Sequence, residues 1–132
     1  MKKSTREWIK KAEEDYVLAR NASQSNLQVH NGVCFHCQQC TEKYLKGLLE
    51  ELRQPIPKTH DLDLLLTSLK PHHPTLRTLR RGLIFLSDLA VDTRYPGAEA
   101  TKRQAAAALR WAERARTAAR ALLGVREMKR EE

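Results

Sequence analysis

Apolar residues recur at steps of three and four along most of this chain, and no segment alternates with a period of two. This periodicity predicts helices throughout. The clearest case is the segment 29–52, which we predict as one continuous helix stopped by Pro55 and Pro57, because proline rings remove amide donors and restrict the residues before them. The face of this helix that points to the core carries Val33, Cys37, Cys40, Tyr44, Leu48 and Leu52.

Three further long helices and one short helix follow from the same pattern. The first begins at the capping-box spacing of Ser4 and Glu7 and frays by residues 25 and 26. After the prolines, Thr59-His60-Asp61 offers an N-cap for the short helix, whose apolar positions are Leu62, Leu65, Leu66 and Leu69. The apolar positions of the fourth and fifth helices are Leu76, Leu79, Leu83, Leu86 and Ala90, and Ala105, Ala108, Ala112, Ala115, Ala119 and Leu122.

Four long helices with short connections favour an all-α fold, an antiparallel up-and-down four-helix bundle with an additional short helix. In this prediction residues 1–125 form a single domain, and residues 126–132, where the pattern stops, form a mobile C-terminal tail. Gly82 interrupts the fourth helix at a cost of about 1 kcal/mol relative to alanine, and close packing would explain it. In the fifth helix, arginines flank the alanine seam, and we expect them on a solvated face.

The chain is basic, with 132 residues, a net charge of +8 and a pI near 9.7. A basic surface attracts phosphate groups, so a polyanionic partner fits this charge. Aromatic residues make up only 5% of the chain, which argues against a dedicated binder of single strands. No run has the length and apolar character of a membrane span, and no signal peptide precedes the first helix. We therefore expect a cytoplasmic protein that does not enter a membrane.

Cys34, Cys37 and Cys40 form a C-x2-C-x2-C pattern that resembles part of an iron-sulfur ligand run. On a regular helix the first and the last would lie about 9 Å apart along the axis, whereas thiolates that share one zinc ion each lie about 2.3 Å from it. We therefore predict that the three thiols pack in the core, with no metal and no cofactor. An odd number of neighbouring cysteines also fits a reducing compartment.

Polar side chains lie beside the buried face of the central helix, at His36, Gln39, Lys43 and Lys46. In the first helix, Asp15 lies on the same line as core alanines, and a buried carboxylate requires a cation or several donors. Lys43, His36 or Arg94 could be that partner. We predict a structural ion pair between Asp15 and Lys43.

One nuclease pattern also occurs. An arginine followed after four to six residues by a histidine marks a class of metal-independent ribonucleases, and six residues separate Arg53 from His60. Chance predicts about 1.6 such pairs in a chain of this length and composition, so the match alone carries little weight. It also spans a helix end and a proline loop.

Four motifs together resemble the HEPN domain, the "higher eukaryotes and prokaryotes nucleotide-binding" family, over residues 5 to 123. They are A-E-E-D at 12–15, C-F-H-C-Q-Q-C-T-E-K-Y-L-K at 34–46, P-K-T-H-D-L at 57–62 and T-R-Y-P-G at 93–97. The resemblance implies a small helical bundle, usually a homodimer, that is commonly encoded beside a minimal nucleotidyltransferase and forms a toxin-antitoxin-like pair with it. It also implies nucleotide binding and, in many members, RNase activity through an R-x4-6-H motif.

The resemblance places the recurrent polar positions of the family at His36, Gln39, Lys43, His60, Arg94 and Tyr95. This chain departs from the nuclease motif, because Glu99, Ala100 and Thr101 occupy the positions where a histidine would follow Arg94. The residue types still suit a phosphate ligand. Arginine binds phosphate oxygens through a planar fork and lysine as a point charge, and a glutamine can read a base or ribose edge.

Three hypotheses follow. The favoured one is a non-enzymatic, homodimeric module that binds nucleotide or RNA and partners a minimal nucleotidyltransferase. The second is a metal-independent RNase toxin acting at a dimer interface, in which Arg94 or Arg53 stabilises phosphate charge and His60 exchanges protons. The third is a structural helical adaptor without a ligand, in which Glu42 and Lys46 form a surface pair and Arg94 caps the fourth helix.

Overall fold

The computed structural model describes residues 1–125, which form five α-helices and one 3₁₀ helix and contain no strand. The elements are α1 Lys3–Ser23, α2 His30–Glu51, α3 Leu62–Leu69, the 3₁₀ helix Pro74–Leu79, α4 Arg80–Asp92 and α5 Lys102–Leu123. The all-α bundle predicted from the periodicity is confirmed. The tail predicted for residues 126–132 lies outside the described residues. No helix in the described part of the chain is long and apolar enough to cross a membrane.

The central helix of the bundle is α2. It contacts each of the other four α-helices, and thirteen of its 22 residues are buried. The predicted core positions from Val33 to Leu48 are at most 1% exposed. Only Leu52, which follows the end of the helix, is half-buried. The helix is continuous, as predicted, and every neighbouring α-helix packs against it.

A tertiary contact, rather than the predicted capping box, starts α1. Lys2 is the N-cap and has no side-chain cap. Its backbone N–H donates to Oε1 of Glu51 at 3.0 Å, and the Thr5 hydroxyl donates to the same oxygen at 2.9 Å. The prediction that Ser4 and Glu7 start the helix was wrong, because a carboxylate at the end of α2 supplies the acceptor. The contact also shows that α1 and α2 run antiparallel.

The α3 helix has the predicted N-cap, whereas the predicted fourth helix is divided. The Asp61 side chain accepts hydrogen bonds from the backbone N–H groups of Asp63 and Leu64 at 3.0 and 3.4 Å. Residues 74–79 form the 3₁₀ helix before α4 begins, so the boundary was wrong. Leu76 and Leu79 are still buried, because residues three apart fall on the same side of a 3₁₀ helix.

The alanine seam of α5 is buried from Ala105 to Ala119. Leu122, which the pattern placed on the same seam, is 39% exposed, because the packed part of the seam stops one turn before the helix ends. The helix starts with a capping box between Thr101 and Gln104, which we did not predict.

Two arginines of α5 lie in a polar network instead of on the expected solvated face. Arg116 donates to both carboxylate oxygens of Glu13, at 2.8 and 2.7 Å. Arg120 donates to the Tyr44 hydroxyl at 3.2 Å, and that hydroxyl donates to Glu13. Burial alone would raise the pKa of Glu13, but the hydrogen bonds from Arg116 and Tyr44 and the charges of both arginines lower it overall. The network ties α1, α2 and α5 together.

Gly82 is buried in the first turn of α4, directly against Trp111 of α5. A Cβ atom added at Gly82 would lie 2.0 Å from Cε3 and 2.1 Å from Cδ2 of the indole. These distances are far shorter than the contact distance between carbon atoms. The close packing predicted from the sequence at this glycine is confirmed.

We expect Gly82→Ala to lower the free energy of unfolding by about 1–3 kcal/mol, because the added methyl group overpacks the contact between α4 and α5. Urea denaturation followed by circular dichroism measures this change. Gly32→Ala is the matched control, since a Cβ atom at Gly32 would meet only Cβ of Val29, at 4.0 Å. That variant should gain about 0.5–1 kcal/mol, as expected when alanine replaces a helical glycine. Equal stability of the two variants would contradict the packing argument.

Candidate functional site

A shallow cleft of about 270 Å³ opens between α2, the loop before α3, and the end of α4. We call it the His60 cleft. Three of the predicted site residues, Gln39, His60 and Arg94, line it. The complete lining is Phe35, Gln38, Gln39, His60, Ser87, Ala90, Val91 and Arg94.

A buried carboxylate, that of Glu42, lies behind the cleft. Glu42 is 4% exposed. Its Oε2 accepts a hydrogen bond from Lys46 Nζ at 3.1 Å, and its Oε1 accepts one from Gln38 Nε2, also at 3.1 Å. The sequence predicted Glu42 and Lys46 as a surface pair in the adaptor hypothesis. The pair exists, but Lys46 is only 9% exposed, because this edge of α2 is covered by neighbouring elements.

His60 is held from α2 at two points. Its ring Nδ1 lies 2.8 Å from Oε1 of Glu42, and its backbone oxygen accepts a hydrogen bond from Gln38 Nε2 at 2.9 Å. An ionised carboxylate only accepts hydrogen bonds, so Nδ1 carries the hydrogen. The side chain of His60 is 74% exposed. Its Nε2 has no hydrogen-bond partner within residues 1–125 and is available to a ligand.

Arg94 also lines the His60 cleft, just after the end of α4. Its side chain is exposed and forms no ion pair with any described residue. Gln39 is half-buried, and its Nε2 donates to Oε1 of Gln38 at 2.7 Å. The cleft therefore combines one guanidinium group, one imidazole and a chain of oriented amides.

A second cluster lies at the other edge of α2, where Asp15 of α1 is 6% exposed. Its Oδ1 lies 2.9 Å from Nδ1 of His36, and its Oδ2 accepts a hydrogen bond from Lys43. Of the three partners considered for Asp15, Lys43 and His36 therefore bind it, and Arg94 does not. A buried carboxylate already engages both basic groups, so they are less available to a ligand than Arg94 and His60 are.

Besides His36 and Lys43, two further predicted site residues lie outside the His60 cleft. Tyr95, which directly follows Arg94, is 63% exposed and does not line the cleft. Arg53 is exposed in the turn after α2, where its φ angle is 56°, and it does not line the cleft either. The structure thus brings His60 together with Arg94 rather than with Arg53.

The three cysteines of α2 are buried in the core, each at most 1% exposed. Burial raises the pKa of the Cys34 thiol to about 11 and raises the pKa values of Cys37 and Cys40 still further. Such thiols stay protonated and behave as small apolar groups. Within residues 1–125, no group of three or more histidine, cysteine or acidic side chains has an arrangement that could hold a metal ion.

The sequence reasoning missed Gln38, Glu42 and Phe35 as site residues. A signal for the first two was present, because Gln38, Glu42 and Leu49 continue a line from Cys34 that lies next to the predicted core face. Two adjacent lines of this kind indicate a helix that is buried on most of its circumference. Polar residues on the second line must then be paired. Phe35 is 49% exposed, and nothing in its spacing distinguished it.

The HEPN domain family model matches residues 5–122 of the chain. Two solved structures resemble it over most of its length. TT1696 from Thermus thermophilus is 25% identical, with a TM-score of 0.78 over 89% of this chain and 96% of that one. ST0689, an archaeal HEPN homologue, is 29% identical, with a TM-score of 0.73 over 93% of this chain and 99% of that one. No curated protein matched the chain.

Proposed function

The chain belongs to the HEPN domain family, and from the geometry of its His60 cleft we propose that it is a module that binds the phosphate groups of a nucleotide or of RNA. One observation carries this proposal. Two exposed side chains line the same cleft and come from different elements, Arg94 and His60. Arg94 donates hydrogen bonds to phosphate, and His60 does so through Nε2 in its imidazolium form, with Nδ1–H bonded to Glu42. An arginine fork matches two phosphate oxygens, and Nε2–H of a protonated His60 can donate to a third.

The rest of the cleft suits the other parts of a nucleotide. Phe35 and Val91 line it and are 49% and 53% exposed, so they offer an apolar surface to a base or a ribose. The volume of about 270 Å³ is close to the lower limit of small-ligand pockets. This size favours one nucleotide unit over a large ligand. The net charge of +8 adds a general attraction to polyanions.

For partners, we propose a homodimer and, as the second component, a minimal nucleotidyltransferase in a toxin-antitoxin-like pair. Family membership supports both assignments. The exposed apolar side chains Val17 and Leu18 of α1 and Leu27 of the following loop offer surface for such contacts.

We expect Arg94→Ala to weaken binding of a fluorescein-labelled single-stranded RNA about 10- to 150-fold, because a hydrogen-bonded charge pair with phosphate contributes about 1.5–3 kcal/mol. Fluorescence anisotropy measures the dissociation constant. The slope of log affinity against log salt should also become shallower by about 0.7 for one lost phosphate contact on a single strand. Arg77→Ala, which removes an exposed arginine outside the cleft, is the control. Equal losses in the two variants would rule out a specific role for Arg94.

We expect the tagged protein to co-purify with a minimal nucleotidyltransferase encoded beside it when both are expressed together. Size-exclusion chromatography with light scattering then gives the stoichiometry, starting from a chain mass of 15.2 kDa. A monomeric mass for the protein alone would remove the homodimer. Separate elution of the two proteins at micromolar concentration would contradict the proposed complex with the nucleotidyltransferase.

Metal-independent RNA cleavage is the second candidate, and the pairing of His60 with Glu42 favours it. In this reaction Nε2 of His60 takes the proton of a ribose 2′-hydroxyl, the 2′-oxygen bonds to phosphorus, and the bond from phosphorus to the 5′-oxygen breaks. The leaving oxygen takes a proton from water, and Arg94 stabilises the charge on the phosphate oxygens. The products are a 2′,3′-cyclic phosphate and a 5′-hydroxyl end.

If this candidate is correct, incubation with total RNA in EDTA yields fragments with cyclic phosphate ends, detected by gel electrophoresis and end-group analysis. The Arg94→Ala, His60→Ala double variant should yield none, while His72→Ala, an exposed histidine outside the cleft, should cleave as the wild type does. Cleavage no faster than that of the double variant would leave binding as the only function of the cleft.

A further inference from the structure

We infer that Glu42 is a positioning residue for His60: it binds Nδ1–H at 2.8 Å and so fixes the orientation and the tautomer of the imidazole, with Nε2 directed to the ligand in the His60 cleft. In the neutral ring Nε2 then accepts a hydrogen bond, such as one from a ribose hydroxyl, and in the imidazolium form it donates one to a phosphate oxygen. This inference rests on the proposed function of that cleft. It assigns a role to a buried residue, Glu42, that does not contact the ligand itself but orients His60, which does.

The hydrogen bonds of Glu42 show that His60 is not required to satisfy the carboxylate. Lys46 supplies a positive charge 3.1 Å from Oε2, and Gln38 donates to Oε1 at 3.1 Å. Each carboxylate oxygen therefore has a donor before His60 is counted, and a carboxylate offers about four lone-pair sites. The bond of 2.8 Å to Nδ1 of His60 uses spare accepting capacity. The main effect of this hydrogen bond is therefore to orient the imidazole of His60.

Burial separates the two partners sharply. The side chain of Glu42 is 5% exposed, whereas that of His60 is 74% exposed. An imidazole with so few neighbours would otherwise move among its rotamers. Because Glu42 lies on α2, the hydrogen bond holds His60 against the most extensively buried helix of the bundle. A ligand then meets an imidazole that is already oriented, which lowers the entropy cost of binding.

Gln38 complements Glu42 one turn earlier on α2. It donates to the backbone oxygen of His60 at 2.9 Å, so one helix face holds both the backbone and the side chain of the same loop residue. A purely structural role, in which α2 only anchors the loop before α3, would need the backbone contact alone. The contact of Glu42 with the ring is what indicates a role for the imidazole.

The experiment replaces the buried pair of Glu42 and Lys46 and keeps the hydrogen bond from Gln38 to the backbone of His60. Glu42→Met with Lys46→Met removes the two opposite charges together, a change that a buried pair often tolerates, and leaves Gln38 bonded to the His60 backbone. Glu42→Gln is the second variant, with nearly the same shape. Glu50→Gln, on the same helix but paired with Lys2, is the matched control.

Nitrogen-15 NMR of histidine-labelled protein at a pH where His60 is neutral reports the tautomer without any ligand. We expect the Nδ1–H form in the wild type and in Glu50→Gln, and loss of that preference when the pair is replaced by methionines. An unchanged His60 spectrum in both Glu42 variants would overturn the inference. This measurement stands even if the protein binds no RNA, in which case the proposed function fails and the tautomer alone decides the role of Glu42.

Affinity for the labelled single-stranded RNA gives the second measurement. The methionine pair should weaken binding about three- to tenfold, as expected for one lost orienting hydrogen bond. Adding His60→Ala to that pair should then cost little more, because both changes remove the same interaction. If the affinity losses of the methionine pair and of His60→Ala multiply when they are combined, Glu42 acts independently of His60, and the inference is contradicted.

Discussion

The structure depends on the burial of one helix, α2, by all of its neighbours. A helix in that position cannot leave a polar side chain without a partner, because an unpaired buried charge costs several kcal/mol. At its α1 edge, Asp15 meets Lys43 and His36. At its other edge, Glu42 meets Lys46, Gln38 and His60. These pairings fix how the surrounding elements sit on α2, so the same requirement sets both the fold and the position of the candidate site.

The two edges of α2 differ in what they leave available. At the first edge, the cation that balances Asp15 comes from a different helix. Both basic side chains, Lys43 and His36, therefore bind Asp15 and join α1 to α2. At the second edge, the cation that balances Glu42 lies on the same helix, one turn away, so the carboxylate can also orient a residue from a loop. That residue, His60, keeps an exposed Nε2 beside Arg94. The chemistry of the cleft thus follows from where the neutralising lysine lies.

Much of the fold could be predicted because burial imposes a helical period on the sequence. The core face of α2 and the cap at Asp61 depend on residues that are close in sequence. The tight packing at Gly82 is indicated by the absence of a side chain inside a helical pattern. The start of α1 could not be predicted, since its acceptor, Glu51, comes from the end of another helix. The same holds for Arg116, whose partner Glu13 lies about a hundred residues earlier in the chain. Glu42 was missed because the second buried line of α2, from Cys34 to Leu49, contains polar residues and therefore does not stand out as an apolar stripe.

Arg94 and His60 show that a sequence motif for nucleases can miss two residues that the fold brings to one cleft. A fixed spacing of arginine and histidine along the chain is one way to bring a guanidinium and an imidazole to one phosphate, but the reacting groups respond only to distance and orientation. In this chain the histidine spacing after Arg94 is absent, yet a histidine from the α2–α3 loop lines the same cleft as Arg94. The buried carboxylate behind His60 is the element that a sequence motif of two residues cannot contain. The proposed RNA cleavage therefore depends on whether His60, held by Glu42, can replace a histidine that is close to Arg94 in sequence, and the geometry of the cleft, not the spacing along the chain, decides that.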